Sequence, residues 1–149
     1  MRVSFRICSV NISRKKGTIK EPVENINLIE GFGIEGDAHG GDWHRQISLL
    51  AVEDIEFMKS RGFELNPGSF AENITTKGIE LHTLPVGTVL YVGKEAVLEV
   101  TQIGKECHGN RCAIFQLSGD CVMPKRGIFA KVLKGGNLNY EDSGYYDIG

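Results

Sequence analysis

The chain has 149 residues, of which 41% are hydrophobic and 24% charged, with a formal net charge of −2. These are ordinary globular proportions and enough chain for one sizeable core, so residues 1–149 are expected to form a single domain. The near-neutral charge excludes an overall basic field for nucleic acid or an anionic membrane, and no apolar run is long enough to cross a bilayer as a helix.

The start, MRVSFRICSVNISRKKG, alternates and is soon broken by charge, unlike an export signal. Residues 3–12 read as a strand with Val3, Phe5 and Ile7 on one face; Cys8, within it, is expected in the core. A polar turn follows at 13–17, and 22–29 reads as a further extended piece. Residues 31–41, GFGIEGDAHGG, are dense in glycine. Glycines permit positive φ and close backbone approach, and successive N–H groups can form an anion-binding nest. The stretch is either a ligand loop or a plain connection between strands. Asp37, His39 and His44 tilt the reading toward function, although Asp37 could simply bond its own loop backbone.

Residues 45–50 read as a strand and 51–61 as a helix. Val52, Ile55 and either Met58 or Phe57 form its apolar face, Glu53 and Asp54 suit its start, and Gly62 stops it. It is expected to pack on the sheet without chemistry of its own. After a turn at Asn66-Pro-Gly68, Glu72 and Asn73 precede a strand. They serve either to position a ligand or as an exposed strand end, and taken locally the exposed end is the better reading. Residues 86–92 and 96–103 form the clearest hairpin, turned by Gly93-Lys-Glu95. Residues 127–133 are a strand closed by Gly135-Gly136, and 138–148 a polar tail that adds a last edge strand. With so many short strands and one firm helix, a closed barrel or sandwich is favoured, since an open sheet would leave exposed edges.

The chemistry is expected between Thr101 and Gly127. Three of the four cysteines fall there, Cys107, Cys112 and Cys121, with His108, Lys105, Arg111, Lys125 and Arg126 around them. Nearby cations favour the thiolate, which is a nucleophile and a soft metal ligand. Four cysteines are too few for a disulfide scaffold, so a reducing, cytoplasmic setting is expected.

Taken in order, these motifs resemble the MOSC domain, the module found at the C-terminal end of eukaryotic molybdenum cofactor sulfurases and as free-standing bacterial proteins. Gly33-Ile-Glu-Gly-Asp-Ala-His39 looks like the family's G-x-x-G-D-x-H loop, and Arg45-Gln-Ile-Ser-Leu-Leu50 like its R-Q-[VI]-S-L strand. Pro67-Gly-Ser-Phe-Ala-Glu-Asn-Ile74 is similar to P-G-x-x-x-E-N-[LI], and Leu84-Pro-Val-Gly-Thr-Val-Leu90 to L-x-V-G-x-x-L. Leu98-Glu-Val-Thr-Gln102 followed by Cys107 looks like the strand before the family cysteine. Residues 127–136 look like its penultimate strand.

The resemblance implies a mainly β fold with a few short helices, a closed barrel of about seven strands akin to the pyruvate-kinase barrel. It also implies a role in molybdenum cofactor metabolism. Cys107, with Cys112 as the alternative, would carry sulfur as a persulfide from a pyridoxal-phosphate-dependent cysteine desulfurase to a metal–sulfur acceptor. The pyridoxal phosphate would belong to that partner. A molybdoenzyme or a cofactor-biosynthesis protein is the other expected partner. Gly36, Asp37, His39, Arg45, Glu72, Asn73, Arg111 and Arg126 are the residues expected to hold the molybdopterin. An alternative is a non-catalytic module binding the cofactor with the Cys107 thiolate on molybdenum. A zinc site from Cys107, His108, Cys112 and Cys121 has suitable residue types, but its spacing lacks the usual paired knuckles.

Overall fold

The computed structural model describes residues 2–15, 19–60, 68, 72–104 and 127–147. Cys107, Cys112, Cys121, His108, Lys105, Arg111, Lys125 and Arg126 therefore lie outside the described residues.

The alternation seen from Val3 onward becomes β1 (Arg2–Ile12), with Phe5 and Ile7 turned into the core. Next come β2 (Glu21–Val23), β3 (Asn25–Ile29), β4 (Gly33–Ile34), β5 (Ile47–Ala51) and α1 (Val52–Lys59). They are followed by β6 (Ile74–Lys77), a 3-10 turn (Leu81–Thr83), β7 (Val89–Val92), β8 (Ala96–Ile103), β9 (Ile128–Lys134), β10 (Gly136–Asn139) and β11 (Ser143–Asp147).

Seven strands close into a barrel in the order β1, β11, β7, β8, β9, β5, β6 and back to β1, with β2 paired to the end of β1. Among the described strands only β5 and β6 run parallel, Leu49 opposite Ile74. Their crossover contains α1, as a parallel pair needs more chain than a hairpin supplies. Ile55 is the helix residue sealed against the barrel, while Phe57 is 63% exposed and leaves the apolar face. The hairpin read at 86–103 is present, β7 pairing β8 with Leu90 opposite Leu98.

The core draws Leu49, Leu90, Leu98, Val100, Ile128 and Val132 from the barrel strands, and Ile26, Leu28, Ile34 and Leu138 from a small second sheet. That sheet has the order β10-β3-β4. Each such side chain contributes roughly 1.5–3 kcal/mol by leaving water.

Three expectations are corrected. The tail is not an edge: β11 pairs β1 on one side, Val3 opposite Tyr146, and β7 on the other, so it is the strand that closes the barrel. Cys8 is not in the core but half-buried. The β1–β6 register slips between Ile7 and Ser9, so the bulge turns Cys8 out of the alternation; burial still pushes its thiol pKa up. Glu72 and Asn73 are not an exposed strand end, because both are wholly buried.

Two glycines in one loop separate the effects of backbone angle and space. Gly33 has φ +124 and a Cβ there would stand 2.8 Å from the Gln46 carbonyl oxygen, whereas Gly31 has φ +70 with open space around it. Gly33→Ala is expected to cost about 1–3 kcal/mol and to exceed the loss in Gly31→Ala. Urea denaturation of the two variants checks the order.

Candidate functional site

The loop between β4 and β5 carries four of the predicted residues: Gly36, Asp37, His39 and Arg45. Gly36 has φ +84 and nothing within 4 Å of where its Cβ would be, so its backbone is approachable from outside. The loop is pinned at Asp37, which is buried with a side chain fully withdrawn from solvent. Its Oδ1 accepts from Lys20 Nζ at 2.8 Å and from the Ser13 amide at 3.0 Å, and its Oδ2 from the His39 amide at 3.1 Å. Burial alone would raise the Asp37 pKa. His39, whose amide donates to Oδ2, the Lys20 hydrogen bond and charge, and the Ser13 amide together outweigh it and hold the carboxyl well below the ordinary carboxylate range. The expectation that Asp37 bonds its own loop backbone is met, and the buried lysine is an addition.

His39 stands at the edge of this cluster, its Nδ1 3.0 Å from Lys20 Nζ and its side chain 24% exposed. The His39 carbonyl accepts from Trp43 Nε1 at 2.7 Å, and the Trp43 ring meets His44 edge-on at 5.9 Å. A second cluster begins there. The Gln102 side-chain oxygen accepts from Arg45 Nε at 3.1 Å and lies 2.9 Å from His44 Nε2. The Thr101 hydroxyl donates to the His44 carbonyl, and the Arg45 guanidinium lies over the Phe129 ring at 5.2 Å. Arg45 is thus fixed by one nitrogen and one ring face, and among the described residues its terminal nitrogens make no other hydrogen bond. An open groove of about 490 Å³ runs alongside, lined among others by Asp42, Trp43, His44 and Thr101.

Gln102 connects this cluster to the segment expected to hold the chemistry. Its amide donates to the Gly104 carbonyl at 2.8 Å, and the Gly104 amide donates to Gly127 at 2.6 Å. The two described residues that flank 105–126 are therefore paired with each other beside Arg45.

Glu72 and Asn73 sit behind the loop and act on backbone. A Glu72 carboxylate oxygen accepts from the Gly68 amide at 2.9 Å and the Thr75 hydroxyl at 2.8 Å. Asn73 accepts from the Ser48 amide at 3.0 Å and donates to the Asn11 carbonyl at 3.1 Å. Asn11 in turn donates to the Glu72 carbonyl at 3.1 Å, and the Gly68 carbonyl accepts from the Lys20 amide at 2.8 Å. These side chains hold the ends of β1, β5 and β6 and carry the Lys20 backbone into place. Sequence reasoning missed Lys20, Asn11, Ser48 and Gln102. Lys20 follows Arg14, Lys15 and Lys16 and reads as one more solvated cation, with nothing local to mark its burial.

Among the described residues no group of three or more His, Cys, Asp and Glu could hold a metal. The donors present there, an open Gly36 backbone, His39 and Arg45, suit an anion or a polar ring system, so a soft ligand for molybdenum would have to come from the cysteine segment. The family model described as "MOSC domain" matches residues 35–143. The chain belongs to the MOSC domain family.

Among solved structures it is similar to the YuaD protein of Bacillus subtilis, at 18% identity and a TM-score of 0.80, with 100% of this chain and 99% of that one covered. It is also similar to YiiM of Geobacillus stearothermophilus, at 20% identity and a TM-score of 0.70, covering 97% and 75% of the two chains. YiiM of Escherichia coli follows at 18% identity and a TM-score of 0.68, covering 99% and 71%. At these identities the likeness is one of fold. No curated protein matches in sequence. The family ties this MOSC chain to molybdenum-cofactor-related function. No helix among its described residues is long and apolar enough to cross a membrane.

The pinned loop gives a pH signature. The folded pKa of Asp37 lies below its unfolded value, so its stabilisation is complete above the ordinary carboxylate range and fades as pH falls toward the folded value. Asp37→Asn takes the Asp37 carboxylate away from the buried Lys20 and is expected to cost about 3–5 kcal/mol near neutrality. The gap from wild type should narrow as pH falls below about 4. Urea midpoints of both proteins across pH check this.

Proposed function

We propose that this MOSC protein carries sulfur on Cys107 in molybdenum-cofactor chemistry. The observation that supports the reading most is the pairing of Gly104 with Gly127 beside Gln102 and Arg45. Cys107 follows Gly104 by three residues in the sequence, and on this reading the Arg45 guanidinium held by Gln102 is the cation that serves its thiol. A cation favours the thiolate, and the thiolate is the form that attacks sulfur. The carriage step is an exchange. The Cys107 thiolate attacks the outer sulfur of a persulfide on a cysteine desulfurase, a new S–S bond forms, and the desulfurase thiolate leaves. No external oxidant is needed, and the same exchange in reverse order releases sulfur to an acceptor. The pyridoxal phosphate of the donor remains on that partner. Cys112 is the alternative carrier.

The second reading is a cofactor-binding module. The motivating feature is the loop that carries Gly36, His39 and Arg45, all at least partly exposed; Arg111 and Arg126 are the further cations this reading calls on. These groups would hold the phosphate and polar pterin edge of molybdopterin, with Glu72 and Asn73 positioning the loop from behind and Cys107 as a ligand to molybdenum. When bound, the group would supply a metal–sulfur centre. The protein's part is to hold and orient it.

Intact mass after incubation with a cysteine desulfurase and cysteine separates the two readings. A sulfur-sized increase is expected in wild type and in Cys112→Ser, and none in Cys107→Ser. An increase unchanged in Cys107→Ser would sink the carrier role of that residue. No increase in any variant would favour the binding module. In that case Arg45→Ala should weaken molybdopterin binding roughly tenfold to a hundredfold, the loss expected for one hydrogen bond to a charged group.

A further inference from the structure

We propose that Lys20 is a positioning residue for His39: from inside the protein it fixes the neutral imidazole in its Nε2–H form and so turns the ring's exposed edge into a hydrogen-bond donor. The Lys20 and Asp37 side chains have no exposure, whereas that of His39 is 24% exposed. An ammonium group has donors only. Lys20 Nζ lies 2.8 Å from Asp37 Oδ1 and 3.0 Å from His39 Nδ1. Nδ1 must therefore accept, and in a neutral ring the proton then resides on Nε2.

The other tautomer has no partner of equal quality. A proton on Nδ1 would point at the Lys20 donor, or reach for Asp37 Oδ2 at 3.7 Å, beyond hydrogen-bond range. That oxygen already accepts the His39 amide at 3.1 Å. The residue is held at three points: its amide on Asp37, its carbonyl on Trp43, and Nδ1 on Lys20. Among the described residues Nε2 has no hydrogen-bond partner, and with the ring part exposed its N–H is left for a ligand to accept.

This arrangement reverses the common one, in which a carboxylate takes the Nδ1 proton and leaves Nε2 bare as a base or metal ligand. Here Asp37 holds the lysine, and the lysine sets the histidine. His39 is thereby assigned to donate to an acceptor-rich ligand, such as a phosphate or an oxyanion, and is withdrawn from proton abstraction and metal ligation through Nε2. A cation too deep to touch the ligand contributes to its recognition through the ring. The nature of the ligand rests on the anion-binding reading above; the tautomer does not.

Long-range proton–nitrogen NMR on the uniformly nitrogen-15-labelled protein at mildly alkaline pH tests this, with His39→Gln identifying the signal. Wild type should show His39 Nε2 as the protonated, pyrrole-type nitrogen and Nδ1 as the bare, pyridine-type nitrogen. It should also show an exchange-protected Lys20 ammonium signal with dipolar contact to that ring. An Nδ1–H tautomer, a doubly protonated ring, or no such lysine contact overturns the proposal, and these readouts need no folded Lys20 variant. Where Lys20→Met folds, the ring should lose its single tautomer, and an unchanged Nε2–H signal there overturns the role of Lys20. Titration with inorganic phosphate should shift the Nε2–H signal. If the signal stays fixed while the tautomer stands, the anion-binding reading fails and the positioning role is retained.

Discussion

The buried pair of Lys20 and Asp37 is the constraint on which the candidate site depends. Taking both charges out of water costs several kcal/mol per ion, and only close geometry with further hydrogen bonds offsets it. The offset draws on three separate parts of the chain: Ser13 after β1, Lys20 before β2, and Asp37 with His39 on the glycine loop. If any of these segments moved, a charge would be left uncompensated. The loop that carries Gly36, His39 and Arg45 is therefore held in one shape by electrostatics, where its glycine content alone would leave it many.

Around that pair the protein separates two kinds of interior. The centre of the barrel is filled by Leu49, Leu90, Leu98, Ile128 and their neighbours, so it offers packing and no chemistry. Close to the loop the interior turns polar, with Asn11, Ser48, Glu72, Asn73 and Thr75 all buried and bonded to one another or to backbone. A polar network of this kind is costly unless satisfied, and here it ties the ends of β1, β5 and β6 to the segment bearing Gly68 and Lys20. The candidate groups Gly36, His39 and Arg45 are, by contrast, at least partly exposed.

Much of this was legible in the sequence, for definite reasons. Strand alternation in β1 and in the β7–β8 hairpin reflects a barrel with one dry face, and period two reports that directly. The ordered motifs led to the MOSC family, and Gly36, Asp37, His39 and Arg45 do share one loop. Pairing partners were not legible. That β11 closes the barrel depends on contacts with both β1 and β7, which no local pattern encodes. Lys20 was hidden for the same reason, since a buried lysine is defined by the carboxylate that meets it, and Asp37 lies 17 residues away. Glu72 and Asn73 were visible as polar residues before a strand, but their burial follows from backbone groups of β1 and β5 that only the fold brings near.

The closure of β11 on β1 also bears on how the molecule comes into being. Arg2 faces Asp147, so β1 finds this partner only when all the strands between them have been made. Pairings so distant in sequence are reached late and slowly, because the entropy of closing the intervening chain is lost before the contact returns anything. During synthesis β1 leaves the ribosome long before β11 and must wait with that part of its edge unpaired, an arrangement prone to wrong partners. Its other edge pairs with β6, and β2 takes the far end of the edge that β11 will fill; both are complete much earlier. Those pairings bring together the ends of β1 and β6 that hold Asn11 and Asn73, so the polar layer behind the site can assemble while the barrel is still open.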